Sequence, residues 1–334
     1  MHPLKWSLEE TKTVIAAIKH VCTEAQAIPL LPIHVSFLEG FRDYIFQHSE
    51  LDLASVRPMH PTAFAEKMID PQHRSRALEY LTLAPYIQPD VNPLQADLVA
   101  SFFRAVGEKS DALTFLNNVA HHHILMGQLC LGRKLLPHLL PGGPVVQMTR
   151  ALRMLRESRG DQKMAAHYHA LAELPVGTLG NAFYRFHRNR GFALPGERGC
   201  VPEELSSLHD LTHLLAGYNT DSAGEISAQA FAGGSMKAHG MMAAVTGLLS
   251  FHNGLLFDAG GRFALPKGNL EPHTFAKAFA RGMDSISLVD GWKFKDDWAT
   301  PVAEVRARFN ITDAEDVWDK PPSEQLAGAP NPMV

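Results

Sequence analysis

Two histidines and two acidic residues lie close together in the segment SSLHDLTHLLAGYNTDSAGEISAQAF. His209 and His213 are four residues apart, so on a helix their imidazole rings project from the same face, one turn apart. Two imidazoles placed in this way can bind one metal ion. Asp210 lies on the flank of that face, where its carboxylate could bind the ion or orient an imidazole. Glu225 follows His213 after eleven residues and supplies another carboxylate. The segment therefore predicts a metal site.

The residues between His213 and Glu225 predict a turn between two helices. Gly217 and the polar stretch around it end the first helix, and Glu225 then falls at the start of the next one. Imidazole nitrogen and carboxylate oxygen without thiolate suit zinc, iron or manganese, and resemble the two-His, one-carboxylate set of non-haem iron sites. A histidine pair at this spacing is by itself more often an ordinary helix surface, so the interpretation depends on the added carboxylates.

Apolar residues recur at helical spacing along most of the chain, and we expect an all-α, multi-helix bundle with the metal site between two helices. Ser7 and Glu10 form a capping box that predicts the start of the first helix. No run alternates with strand period over a useful length. The further predicted helical stretches are 34–47, 72–84, 94–107, 111–135, 144–158, 161–174, 178–190, 202–217, 223–256, 272–285 and 300–309.

The segment LPHLLPGGP interrupts this pattern with prolines and paired glycines, and predicts a domain boundary near residue 142. We expect a helical N-terminal domain over 1–142, a metal-binding domain over 143–320 and a mobile, proline-rich tail over 321–334. The stretch FDAGGRFALPKGN is expected to form a short hairpin or an irregular loop.

Composition narrows the class of protein. Apolar residues make up 46% of the 334-residue chain and charged residues 20%, which is ordinary for a folded globular protein. A net charge of -4 without a long basic run argues against nucleic acid as a partner. The three scattered cysteines favour a reducing compartment, and we expect a cytoplasmic protein. GxGxxG, P-loop and GxSxG motifs are absent from the sequence, so dinucleotide enzymes, P-loop ATPases and α/β-hydrolases gain no support.

Three blocks of the second half resemble the Coq-four family of ubiquinone-biosynthesis proteins. The order His-Asp, two residues, His, eleven residues, Glu is the signature of that family. Upstream, LPVGTLGNAFYRFHRNRGFALPGE over 174–197 is similar to the family's LP-x-GT-x-G segment and the helix after it. Downstream, WKFKDDWATPVAEVRARFNI is similar to its closing tryptophan and P-x-x-EVR segment. Together the blocks cover roughly residues 144–311. The first half, over 76–107, faintly resembles TerB-like helical bundles and carries no chemical motif.

The resemblance implies a metal-dependent enzyme acting on a polyprenylated aromatic precursor of coenzyme Q, with oxidative removal of the ring carboxylate and a hydroxyl installed in its place. His209, Asp210, His213 and Glu225 are then the catalytic residues and the ligands of a divalent zinc, iron or manganese ion. Two other readings stay open: a non-catalytic prenyl-lipid binding scaffold for quinone-biosynthesis enzymes, and a metal-dependent hydrolase. Peripheral contact with the inner membrane face and a homodimer are also left open.

Further residues are candidates for substrate contact. Arg185 and Arg188 could bind an anionic head group by bidentate hydrogen bonds, although a solvated basic face explains them equally well. His239 is a candidate in the same role, and the Met- and Leu-rich stretch from Met236 to Phe257 could line a groove for an isoprenoid tail. Core packing is the commoner explanation for such a stretch. Four further histidines could orient a metal ligand or act as acid–base groups, although an ordinary histidine is the commoner explanation for each: His167, His169, His187 and His252.

Overall fold

The protein is all-α, as the sequence predicts. The structure, a computed structural model, describes residues 4–121, 144–236, 238–255 and 267–319. Across these ranges it contains fourteen α-helices and no strand, with one isolated bridge between Thr178 and Pro301. Within the same ranges, no helix has both the length and the apolar composition that crossing a membrane requires.

Six helices form the first described range. Proline occupies the first turn of four of them, where its missing N–H has no intrahelical partner to lose. The capping box predicted at Ser7 and Glu10 is present. The helices are α1 (Leu8–Cys22), α2 (Pro32–Gly40), α3 (Pro61–Lys67), α4 (Pro71–Leu81), α5 (Pro93–Val106) and α6 (Asp111–Ala120).

In the first range, a short π-helical turn over Phe41–Ile45 extends α2. Eight helices follow residue 143. The predicted stretches 178–190, 202–217, 272–285 and 300–309 match observed helices to within two residues. The eight helices are α7 (Pro144–Arg159), α8 (Gln162–His169), α9 (Leu179–Arg190), α10 (Glu203–Ala216), α11 (Ser222–Ser235), α12 (Gly240–Phe251), α13 (Pro272–Asp284) and α14 (Val302–Arg308).

The helices on both sides of the predicted domain boundary share one apolar core. α11 packs between α12 and α13, and α13 packs in turn on α2 from the first range. The His252 ring donates from Nε2 to the Ile87 carbonyl at 2.8 Å, and the Asn253 amide donates to the carbonyls of Gln88 and Pro89 at 2.8 and 3.2 Å. The predicted boundary near 142, the tail after 320 and most of the FDAGGRFALPKGN loop lie outside the described residues.

The stretch 223–256 was predicted as one helical run, and the structure divides it into α11 and α12. The two helices form a hairpin whose turn includes His239 in the left-handed region, with φ of 59°. Gly233 and Gly240 face each other there, because a Cβ atom on Gly240 would lie 2.1 Å from the Gly233 carbonyl oxygen. The chain therefore reverses where two glycines allow the backbones to approach more closely than any side chain permits.

Candidate metal centre

α10 carries His209 and His213, and its ends are fixed by neighbouring segments. At its start, the buried Glu157 carboxylate accepts a hydrogen bond from the Glu203 backbone N–H at 3.1 Å. This contact satisfies one of the free N–H groups of the first turn. At its end, the His213 carbonyl accepts from the N–H groups of Gly217 and Tyr218 at 2.9 and 3.1 Å. The helix thus stops one turn after His213, so the chain can reverse close to the imidazoles.

Two glycines shape the turn that follows. Gly217 has φ of +81°, and a Cβ atom there would lie 2.5 Å from the Glu315 backbone nitrogen. A Cβ atom on Gly224 would lie 2.0 Å from the Asn219 carbonyl oxygen. The Asp221 carboxylate caps α11 by accepting from the Gly224 N–H at 2.8 Å. The tight turn places Glu225 in the first turn of α11, where the helix dipole favours a carboxylate.

The structure brings His209, His213 and Glu225 together, as predicted from the sequence. His209 Nε2 and His213 Nε2 lie 3.0 and 3.3 Å from Glu225 Oε2, and 3.1 Å from each other. The His213 side chain is 1% exposed, whereas those of Glu225 and His209 are 15% and 28% exposed. One imidazole is therefore buried in the core, and the other forms the open edge of the cluster.

Each imidazole has a second partner at Nδ1. His213 Nδ1 lies 3.1 Å from the Tyr218 carbonyl oxygen, which can only accept, so Nδ1 carries the proton and Nε2 presents its lone pair. His209 Nδ1 lies 3.2 Å from Nε2 of the Gln229 amide. The amide can turn its oxygen to accept from Nδ1–H, and this orientation frees His209 Nε2 as a lone-pair donor. Both rings thus have the outer partner that metal-binding histidines use.

The Glu225 carboxylate and the His209 imidazole shift each other's pKa in opposite directions. Burial raises the pKa of the Glu225 carboxyl, but the charges and hydrogen bonds of His213 and His209 outweigh burial and hold that pKa well below its usual range. Burial lowers the pKa of His209, but the Glu225 carboxylate outweighs it and raises the pKa to about 9. A cation that bound here would displace a proton, since a metal ligand must be deprotonated.

The donor atoms have the separations that a shared ion requires. Two nitrogen or oxygen ligands bound at about 2.1 Å, with an angle of about 90–110° between them, lie about 3.0–3.4 Å apart. The three observed separations are 3.0, 3.1 and 3.3 Å. Across the described residues, these three are the group of His, Cys, Asp and Glu side chains close enough to hold one metal ion. The donor set therefore fits a divalent cation.

Asp210 lies outside this group. Its Oδ2 faces His187 Nε2 on α9 at 3.2 Å, and both side chains are buried. The other nitrogen of His187, Nδ1, lies 3.0 Å from the Phe183 carbonyl. Asp210 acts on the cluster through its charge, which contributes to the raised pKa of His209. The geometry therefore gives Asp210 no position as a direct ligand. Its carboxylate instead links α10 to α9 through His187.

The two candidate substrate arginines have carboxylate partners elsewhere, and the candidate His239 lies along the helix hairpin from the cluster. Arg185 pairs with Asp319 at 2.5 Å, and Arg188 pairs with both carboxylate oxygens of Glu197, at 2.5 and 3.1 Å. His239 follows the far end of α11, and the ten residues from Glu225 to Ser235 span about 15 Å of helix at 1.5 Å per residue. The two arginines thus already have carboxylate partners, and His239 lies at the opposite end of the hairpin.

The remaining candidate residues lie either on the surface or in the core. His167 and His169 are exposed on α8, and His252 is buried where it contacts the Ile87 carbonyl. Within the Met- and Leu-rich stretch, the apolar side chains of α12 are buried in the core. Core packing, the commoner of the two explanations, therefore accounts for the buried side chains of α12, while Phe251 at its end is half-buried.

Gln229 was missed in the sequence although a signal was present. It lies four residues after Glu225, so it projects from the same face of α11 one turn later. Its backbone is held close to α12, because a Cβ atom on Gly247 would lie 2.8 Å from the Gln229 Cβ. A polar side chain one turn beyond a candidate ligand is the pattern that predicts an outer partner.

Comparison of the chain with protein-family models, with curated proteins and with solved structures finds no match. The resemblance to the Coq-four family therefore stays a prediction that rests on the three sequence blocks.

Proposed function

We propose that this protein is a metal-dependent enzyme of ubiquinone biosynthesis that acts on the ring of a polyprenylated aromatic precursor. The observation that carries the proposal is the convergence of His209 Nε2, His213 Nε2 and Glu225 Oε2 within 3.0–3.3 Å of one another. Zinc, iron and manganese each accept this donor set. A bound ion would supply Lewis acidity and open coordination positions for the substrate carboxylate or dioxygen.

In the proposed reaction, the bond between the ring carbon and its carboxylate breaks and carbon dioxide leaves. A carbon–oxygen bond forms with one atom of dioxygen, and an electron donor supplies the two electrons that reduce the other atom to water. The chain contributes binding and orientation. His213 is fixed by the Tyr218 carbonyl in the core, and His209 forms the exposed edge from which substrate approaches.

An exposed apolar side chain on α10 supports a substrate with an isoprenoid tail. Leu205 lies one turn before His209 on the same side of α10 and is 48% exposed. Arg150 and Arg153 of α7 pair with Glu204, which ties that helix to the start of α10. On α7, exposed apolar side chains recur at helical spacing and comprise Met148, Leu152 and Leu155. This stripe lies on the side of α7 opposite Arg150 and Arg153, and therefore faces away from α10. The same surface suits peripheral contact with a membrane.

The proposal is tested with purified protein loaded with iron, manganese or zinc. A carboxylated, prenylated phenol is added with dioxygen and a reductant, and product is followed by mass spectrometry. We expect decarboxylated, hydroxylated product from the wild type and from the control His167→Ala, and none from His209→Ala. His167 is a matched control because it is an exposed histidine on α8 and is not one of the three clustered donors.

Two other outcomes would overturn the enzymatic proposal and identify the alternatives. Co-purified prenyl lipid with bound metal, and no turnover under any loading, would indicate the non-catalytic scaffold. Turnover of ester or phosphate substrates without any need for dioxygen would indicate a metal-dependent hydrolase.

A further inference from the structure

The first range of helices contains a cavity that the proposed metal chemistry does not use. Its volume is about 640 Å³, and it lies between the end of α1, the start of α3 and the second half of α5. Apolar side chains from Leu98 and Ala105 form part of its wall. A cavity of this size lies within the range of small-molecule sites, about 300–1,000 Å³.

The key group in this cavity is His20. The residue is 5% exposed, lines the cavity, and has no hydrogen-bond partner for its ring nitrogens among the described residues. Its ring packs edge-on against Phe102 and against the His60 ring, with centroids 5.8 and 5.7 Å away. Buried polar side chains are nearly always hydrogen-bonded, and the ring nitrogens of His20 are open to the cavity rather than enclosed by protein. An imidazole left in this state and facing a cavity is a group that a ligand can satisfy.

The charges around His20 have one sign. Arg104 of α5 lines the cavity and is exposed, with no side-chain partner among the described residues. His60 lines it from the start of α3, and its Nδ1 lies 3.3 Å from the Thr62 hydroxyl. The lining includes no carboxylate. Burial and the neighbouring His60 lower the pKa of His20, so its ring is neutral and Arg104 is the charged group of the lining. A guanidinium without a counter-charge, beside imidazoles that can donate N–H bonds, favours an anion.

Hydroxyl and amide groups complete the polar side of the cavity. Thr62, Ser101 and Gln26 each line it. Gln26 closes a turn of three consecutive left-handed residues, Glu24, Ala25 and Gln26, with φ of 49°, 57° and 74°. The turn holds Gln26 at the cavity wall.

We propose that this cavity binds a small organic anion, with its phosphate or carboxylate group on Arg104, His60 and His20 and its apolar part against Leu98 and Ala105. The guanidinium binds two anion oxygens at once, and the buried imidazole donates an N–H to the same group. The site is separate from the metal centre in sequence and in chemistry, so it stands whether or not the proposed quinone reaction does.

The test follows the imidazole ¹⁵N resonances of His20 and His60 in the full-length protein during titration. Inorganic phosphate and hexanoate are the two probes, and their relative affinities decide between a phosphate and a carboxylate ligand. We expect saturable shifts of both rings below about 20 mM for at least one probe. Arg104→Gln should weaken that binding at least tenfold, and Lys163→Gln, an exposed cation on α8, should not change it.

Arg104 is exposed, so its substitution leaves the core intact and a negative result stays interpretable. If Arg104→Gln and Lys163→Gln weaken the binding equally, the binding is a nonspecific charge effect and the proposal is overturned. So would the absence of any shift at His20 with both probes.

Discussion

Gln229 tests whether the geometry around His209 is built for a metal ion. Its amide lies 3.2 Å from His209 Nδ1. Gln229→Leu keeps a side chain of similar size against α12 and removes the group that can accept from Nδ1–H. Loss of such an outer partner typically weakens metal affinity about 10–100-fold, which corresponds to about 1.4–2.7 kcal/mol. Gln229→Glu should bind the metal at least as tightly as the wild type, because a carboxylate accepts from Nδ1–H more strongly than an amide does.

The assay is a zinc titration against a competing chelator at neutral pH, with helical content checked by circular dichroism. Gln88→Leu is the matched control, since the Gln88 amide contacts His34 Nε2 at the same 3.2 Å distance elsewhere in the fold. Zinc affinity in Gln229→Leu within twofold of the wild type would refute the reasoning. So would equal losses in Gln229→Leu and Gln229→Glu, because the argument depends on the accepting oxygen.

Two further predictions concern stability. Gly217 and Gly191 both have left-handed φ, +81° and +69°, but a Cβ atom would clash with Glu315 only at Gly217. In urea unfolding, Gly191→Ala should therefore cost about 1–2 kcal/mol and Gly217→Ala clearly more; equal costs would contradict the packing argument. Burial lowers the pKa of His34 to about 4. The unfolded chain therefore binds more protons between pH 6.5 and 4, so stability contributed by the neutral ring falls as the pH falls through this window. From pH 7 to pH 5 the loss should be about 1–2 kcal/mol, and His34→Gln should lose less; an unchanged pH dependence in that variant would contradict the assignment.

Helix positions were predictable where the signal is local. The Ser7 and Glu10 capping box fixes the start of α1 through contacts three residues apart, and both residues are in the sequence window that predicts them. The division of 223–256 was not predicted, because periodicity continues across both arms of a helical hairpin. Only the pairing of Gly233 with Gly240 in three dimensions shows that the chain must reverse between them.

In the candidate site, too, the positions set by local spacing were predictable and those set by packing between helices were not. The i,i+4 spacing of His209 and His213 places both rings on one face of a helix, and the structure confirms that placement. The partner that the Asp210 side chain contacts depends on where α9 packs, since that partner, His187, lies on α9. Sequence spacing within α10 contains no information about α9, so the role of Asp210 could not be settled from the motif.

The proposed metal chemistry depends on the capacity of His209, His213 and Glu225 to hold one cation. The most direct measurement is elemental analysis of chelator-stripped protein after reloading with zinc and gel filtration. We predict one ion per chain for the wild type and for His187→Gln, which alters the partner of Asp210 and leaves the three donor side chains in place. Glu225→Gln keeps the shape of the side chain and removes the anionic ligand, so it should retain almost no metal. Wild-type protein without bound zinc, or Glu225→Gln with as much zinc as the wild type, would contradict the account.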